Sequence, residues 1–376
     1  GVGFLKANIT TLVGALYGPN DPRRDSGFTI FYLGLNLGAF ISMLIVGYVG
    51  ETYGWNYGFS IAGIGMFFGL LVFLWGQKLL DGHAEPSAPE RLKEVAFLGI
   101  NKENTIYLGG IAMVFLSWIM MQYQELVGVL LGTSGFVMIG IILIYGYTKC
   151  SKIERDRLMV ACFLIICQSV FYALFEQQAV SLTLLADQQF DKTVFGIVLK
   201  ASQVQTMNTL FVVLLAPLMA WAWLWLGKRN LEPTTPLKFG MAMLIIGAGY
   251  IVFAWAMGTD NSTSKNFIWL VFIYFTLSLA ELFIIPVGLS MVTKMSVARI
   301  AGMMMGTWFL FMAVGNYMAG WISSLMGAGE HGGTSAAMDM AATMDVYRVI
   351  GFVSIGVGIF IFLMTPLLKK GMHNIH

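Results

Sequence analysis

Long apolar stretches alternate with short polar ones along this chain. Eleven stretches approach or exceed the about 20 residues that a helix needs to cross a bilayer core. They are 1–17, 28–50, 56–76, 106–122, 126–147, 158–185, 203–226, 237–257, 267–292, 299–326 and 346–368. Outer-membrane barrel strands run to about 10 residues and alternate in polarity, and these stretches do neither. The pattern predicts an all-α, multi-pass membrane protein. Stretches 106–122 and 126–147 are separated by a few residues around Glu125 and predict a tight hairpin of spanning helices. The polar stretch 77–105 reads as a linker between two bundles, and 327–345 as a Gly/Ala/Met-rich outer loop. The chain starts without Met and already inside an apolar stretch, so the first helix is expected to be cut and others to lie upstream.

Composition sharpens the class. Of 376 residues, 57% are hydrophobic and 11% charged, against roughly 25% charged in soluble domains. A soluble enzyme, a disordered chain and a nucleic-acid binder with its broad basic surface are excluded. Three cysteines are too few for a disulfide scaffold. Basic residues fix the orientation, since cytoplasmic loops carry the excess of Lys and Arg. One set of alternate connections holds seventeen of them, including Arg23, Lys93, Arg155, Arg229, Lys294 and Lys370; the opposite set holds Lys192, Lys200 and Lys265. The C-terminus is therefore expected in the cytoplasm.

A charge in mid-membrane costs about 2.5–3.5 kcal/mol on insertion scales, so intramembrane ionisable residues mark ion or substrate paths. Lys6, Glu176 and Glu281 stand well inside apolar stretches. A structural ion pair between helices is the alternative reading. Asn36, Asn208 and Asn316 are the polar exceptions in theirs, where interhelical hydrogen bonding is as good an explanation as ligand contact. Tyr172 and Trp308 fit core packing or an interfacial belt as well as a substrate wall. The pairs Gly34/Gly38, Gly65/Gly69 and Gly302/Gly306 have the spacing of close helix packing. Pro286, five residues after Glu281, should break a helix hydrogen bond one turn away. Pro217 is expected to do the same in 203–226, and broken helices line transporter cavities. No His lies in a spanning stretch, no Cys/His spacing suggests a metal, and no phosphate-cradling Gly loop is present. Proton handling here would fall to carboxylates.

Three runs carry a specific resemblance. GVGFLKANITTLVGALYGPNDPRRDSGFTIFYLGLNLGAF is similar to the signature of the proton-dependent oligopeptide transporter (POT/PTR) family of the major facilitator superfamily. It includes the fourth-helix Lys and the fifth-helix Tyr-x3-Asn-x-Gly. FYALFEQQAVSLTLLAD resembles the family's seventh helix. ELFIIPVGLSMVTKMSVARIAGMMMGTWFLFMAVGNYMAG resembles its tenth and eleventh. The resemblance implies two six-helix bundles with an inserted two-helix hairpin, the first three helices lying outside this chain. Residues 1–76 would be the rest of the N-terminal bundle (helices 4–6), 77–157 the linker and hairpin, and 158–376 the C-terminal bundle.

The resemblance also implies roles. Lys6 would face the peptide carboxylate and share in proton coupling. Glu176 would be the proton-coupling carboxylate of the seventh helix. Glu281 would receive the peptide amine, Asn36 and Asn208 would bond its backbone, and Tyr172 and Trp308 would wall the pocket. Asp187 would belong to an extracellular gate. These residues are expected around one central cavity. Several positions depart from the family pattern: Tyr172 in place of a frequent Trp, Thr209 after Asn208 in place of Pro, Ser296-Val297 in place of Ala-Pro, and Met312 in place of Ser.

The function so implied is proton-coupled import of di- and tripeptides by alternating access. No cofactor is implied beyond the coupling proton. The partners are the peptide and the bilayer, with no nucleic acid and no obligatory protein partner, and the location is a bacterial inner membrane. The alternative is a major facilitator carrier of nitrate, sugar or drug; nitrate would not call for Glu281. An integral-membrane enzyme would need a clustered nucleophile or metal set, and the sequence offers none.

Overall fold

A computed structural model describes residues 24–80, 82, 89–97, 99–191, 193–194, 197–229, 231–258, 265–328 and 339–373. Ten helices among them are long and apolar enough to cross a membrane, and they fall on ten of the eleven stretches. The other, 1–17, lies outside the described residues. Two compact units divide the chain, Gly1–Val127 and Gly128–His376.

In the first unit, α1 (Arg24–Tyr53) and α2 (Trp55–Gly76) are joined by the single residue Gly54, whose φ of 113° favours glycine. The two helices approach so closely that a Cβ on Gly58 would lie 3.1 Å from the Gly50 Cα and the Val46 carbonyl oxygen. After two 3₁₀ turns comes a ribbon of β1 (Val95–Phe97) and β2 (Ile100–Asn101), turned at Gly99 (φ 80°). The ribbon lies in the polar stretch, where no helical pattern competes. Asn101 then caps α3 (Lys102–Gln122), its side chain accepting from the Asn104 N–H. Long apolar side chains of α2 and α3 are exposed, Phe67, Trp75, Phe115 and Trp118 among them.

Helix α4 (Gln124–Lys149) runs on into the second unit. There it packs through small residues: a Cβ on Gly128 would fall 2.3 Å from the Tyr317 ring, and one on Gly135 would touch Phe311. The rest of the unit is α5 (Lys152–Phe175), α6 (Ser181–Gln189), a ribbon of β3 (Thr193–Val194) and β4 (Ile197–Val198), α7 (Thr206–Lys228), α8 (Thr235–Met257), α9 (Ile268–Met295), α10 (Ala301–Ser323) and α11 (Met340–Met372). Ser151 and Glu154 form a reciprocal capping box at the start of α5. Asp339 caps α11 by accepting from the N–H groups of Ala341 and Ala342.

Lipid tails are as apolar as leucine, so close packing and interhelical hydrogen bonds hold such helices together. The tightest seam joins α8 and α11. Gly247 and Gly351 face each other so closely that a Cβ on either would lie 2.7–2.9 Å from the other's carbonyl oxygen. Gly240 and Gly358 repeat the arrangement at 3.0–3.2 Å. The spacing is seven residues on both helices. By contrast, a Cβ on Gly34, Gly38, Gly65, Gly69, Gly302 or Gly306 meets nothing within 4 Å. The four-residue spacing alone therefore does not mark a seam, because close approach depends on what the facing helix presents: a glycine in the pairs Gly247/Gly351 and Gly240/Gly358, the Ser169 carbonyl at Gly315. Arg157 ties the end of α11 to the start of α5. Its Nε donates to the Met372 carbonyl and its Nη2 to that of His373, both at 3.3 Å, and His373 Nε2 lies 3.1 Å from Asp156 Oδ2.

Pro286 and Pro217 each remove one main-chain donor from a helix without ending it. Helix α9 runs through Pro286 and α7 through Pro217. The stretch 158–185, expected as one span, is the one interrupted: α5 stops at Phe175, Glu176–Gln178 form a 3₁₀ turn, and α6 starts at Ser181.

Candidate functional site

Helix α9 places Tyr274, Ser278 and Glu281 at spacings of four and three, hence on one face. Asn208, in the first turn of α7, meets that face. Its side-chain amide donates to Ser278 Oγ at 2.9 Å and to Glu281 Oε2 at 3.0 Å. Ser278 Oγ in turn donates to the main-chain carbonyls of Tyr274 (2.8 Å) and Asn208 (3.2 Å). The Glu281 carboxyl is thus held by one neutral donor, and its other oxygen, Oε1, has no hydrogen bond within this cluster. A hydrogen bond to a charged group is worth about 1.5–3 kcal/mol, enough to fix the rotamer.

Glu176 stands at the α5 break and is half-buried. It, Glu281 and Tyr172 lie within Coulombic range of one another. Two carboxyls and a phenol therefore share one dry region of the second unit, where charges interact more strongly than in water.

Trp308 is 1% exposed. Its indole occupies the volume that a side chain at residue 288 would take: a Cβ on Gly288 would lie 1.9 Å from it. Gln168 Nε2 donates to the Trp308 carbonyl at 2.7 Å, and Phe239 meets the indole edge-on at 6.4 Å between ring centres. Tyr172 is 4% exposed, packed against Gly315, Phe171 and Phe175. Both aromatics are sealed into the second unit's core.

Asp187 is exposed on α6, two turns past the break. Asn36 is half-buried on α1 of the first unit, and Asn316 is exposed on α10. Lys6 lies outside the described residues. Glu281, Asn208, Glu176 and Tyr172 are the predicted residues that the second unit brings together.

Sequence reasoning passed over Ser278, Gln168, Gly288 and the tyrosines Tyr250 and Tyr274. Two signals could have found the first pair: Ser278 shares the helix face of Glu281, and Gln168 stands four and eight residues before Tyr172 and Glu176. Among the described residues no group of three or more His, Cys, Asp or Glu side chains could hold a metal ion. Cys150, in the loop between α4 and α5, is no reactive thiol: burial, with the nearby Glu154 charge, raises its pKa.

Ten membrane-length helices among the described residues, with carboxyls held inside one helical unit, define a multi-pass membrane protein, and similarity to known proteins makes it a member of a transporter family. The profile of the POT family matches residues 1–338. The "Uncharacterized transporter YclF" of Bacillus subtilis is 32% identical over 379 residues, covering 100% of this chain and 73% of that protein. The "Di-/tripeptide transporter" of Lactococcus lactis subsp. lactis is 31% identical over 392 residues, covering 98% of this chain and 74% of that protein. A crystal structure of a mutant of peptide transporter POT in complex with alafosfalin superposes with a TM-score of 0.81 at 30% identity, covering 98% of this chain and 73% of that one. The chain belongs to the POT family, with the all-α fold of these major facilitator transporters.

Proposed function

We propose that this chain is a symporter that carries di- and tripeptides with protons across a bacterial inner membrane by alternating access. The observation that carries the reading is the Asn208-held Glu281 in Coulombic range of Glu176, in a member of a family whose relatives are named peptide transporters. A peptide is a zwitterion, so it calls for a cation and a carboxylate. Glu281 takes the peptide amine, Lys6 its carboxylate, and Asn208 and Asn36 its backbone. Tyr172 and Trp308 form the packed wall behind the site. Glu176 exchanges the coupling proton, Lys6 shares in that coupling, and Asp187 serves an outer gate.

The chain divides functionally into 1–76, 77–157 and 158–376, with the C-terminus in the cytoplasm; a fluorescent protein fused there should fluoresce in intact cells if that side is right. No cofactor takes part beyond the proton. The deciding experiment is uptake of a labelled dipeptide into proteoliposomes holding the full-length protein. Saturable accumulation above the outside concentration, driven by an inward proton gradient and collapsed by a protonophore, is expected. Non-saturating flux indifferent to the gradient would indicate a channel. Gradient-driven uptake of nitrate or a sugar without peptide competition would favour another carrier of the same fold.

A further inference from the structure

Between Lys152 and Gln189 the sequence contains neither proline nor glycine, yet the helix is interrupted at Glu176. Sharp interruptions have causes: Pro, Gly/Ser pairs, π-bulges, or a side chain that enters the hydrogen-bond ladder. Here the cause is the last. In a continuous helix the carbonyls of Leu174 and Gln178 would accept from main-chain N–H groups four residues on. At the break the Leu174 carbonyl takes the Glu176 N–H of the helix cap, and Tyr250 of α8 adds its hydroxyl to the same carbonyl at 2.8 Å. Tyr274 of α9 and Thr183 donate to the Gln178 carbonyl at 3.3 and 2.7 Å. Val180 leaves the helical region altogether (φ −113°, ψ −88°).

The turn is also pinned from its other side. Gln177 Nε2 donates to the carbonyls of Ala173 (3.1 Å) and Ala319 on α10 (3.0 Å). Its Oε1 accepts from Ser181 Oγ at 2.6 Å, which lies 2.8 Å from the Tyr347 hydroxyl on α11. Four helices therefore hold a break that the local sequence does not demand. Glu176 is the first residue of that break. It lies four residues after Tyr172 on the same helix and within Coulombic range of Tyr172 and of Glu281 on α9.

We infer that the hydroxyls of Tyr250 and Tyr274 are positioning groups for Glu176: by substituting for main-chain donors they keep the helix open and fix where its carboxyl stands. The inference rests on the proton-coupling reading of Glu176. Buried carbonyls must find donors. Without the Tyr250 hydroxyl, the donor that a closed helix would bring to the Leu174 carbonyl is the main-chain N–H of Gln178, while the Gln178 carbonyl keeps Thr183. Closure rotates Glu176 about the helix axis and away from Glu281.

The test is the pair Tyr250→Phe/Tyr274→Phe, which keeps both rings. If that pair does not accumulate, Tyr250→Phe alone serves, since it removes the side-chain hydroxyl from the Leu174 carbonyl while Thr183 and Tyr274 stay on Gln178. Ser354→Ala is the control: it deletes an equally buried hydroxyl, which bonds the Met243 carbonyl at 2.8 Å. Uphill dipeptide uptake should fall about tenfold while counterflow stays within about threefold. The pH of half-maximal uptake should move by about half a unit or more, the scale on which one hydrogen bond shifts a proton equilibrium. A readout free of peptide is the infrared carboxyl band of the purified protein that disappears in Glu176→Gln. Its titration midpoint should move in the Tyr variants and stay in Ser354→Ala. An unmoved band with an unmoved pH profile overturns the inference, as does equal loss of both activities in the Tyr variants and the control. A moved band in a protein that carries no peptide would leave the inference standing and remove the transport reading instead.

Discussion

At the scale of residues, two contacts make sharp predictions. Glu281 is held by Asn208 at 3.0 Å and is the proposed seat of the peptide amine. Removing a charge-assisted hydrogen bond worth about 1.5–3 kcal/mol should weaken binding of a free-amine dipeptide about ten- to a hundredfold in Glu281→Ala. An N-acetylated dipeptide has no cation to lose, so its already weak binding should barely change. Competition titrations with the two peptides check this; equal losses would make Glu281 a packing or gating charge. Gly288 is defined by sterics, since any Cβ there collides with the Trp308 indole. Overpacking costs about 1–3 kcal/mol, so Gly288→Ala should lower the unfolding temperature in detergent. Adding Trp308→Phe, which shortens the ring system, should recover part of the loss.

Among elements, the α8–α11 seam is the most exacting contact. Gly351→Ala would drive a methyl group to 2.9 Å from the Gly247 carbonyl oxygen and 2.7 Å from Ile251 Cγ1. A cost of about 1–3 kcal/mol is expected. Gly356→Ala, on the same helix, meets open space and should be neutral or slightly stabilising, because alanine is the better helix former. Thermal unfolding of the two variants side by side separates a seam from a merely glycine-rich helix. Pro286 and Pro217 are absorbed into continuous helices, because membrane helices can re-satisfy the freed carbonyls locally. Tyrosine hydroxyls from neighbouring helices open α5, where proline is lacking.

For the molecule as a whole, the separable quantity is energy coupling. Glu176→Gln keeps the size and hydrogen-bonding capacity of the side chain but cannot carry a proton. Uphill uptake driven by a proton gradient should be abolished or nearly so, while counterflow exchange of peptide, which needs no net proton movement, should partly survive. Paired assays in the same proteoliposomes decide it. Equal loss of both would make Glu176 a structural charge, and undiminished uphill uptake would clear it of any role.

What the sequence determined by itself was whatever depends on local composition. The spans followed from apolar length, since a 30 Å core sets the helix length, and ten of them coincide with described helices. Glu281, Asn208 and Glu176 were legible because a polar group in an apolar stretch is costly enough to stand out. The tertiary structure decided what depends on partners distant in the chain. Asn208 and Glu281 are 73 residues apart, and neither local sequence names the other. The closely packed glycines could be told from the idle ones only by what the facing helix brings against them, and Gly288 only by the indole laid across it. Tyr250 and Tyr274 looked like any membrane tyrosine until their hydroxyls were found at the carbonyls of Leu174 and Gln178. A helix with no breaker in its own sequence is broken by its neighbours, because an unpaired carbonyl in a dry interior takes whichever donor the fold delivers.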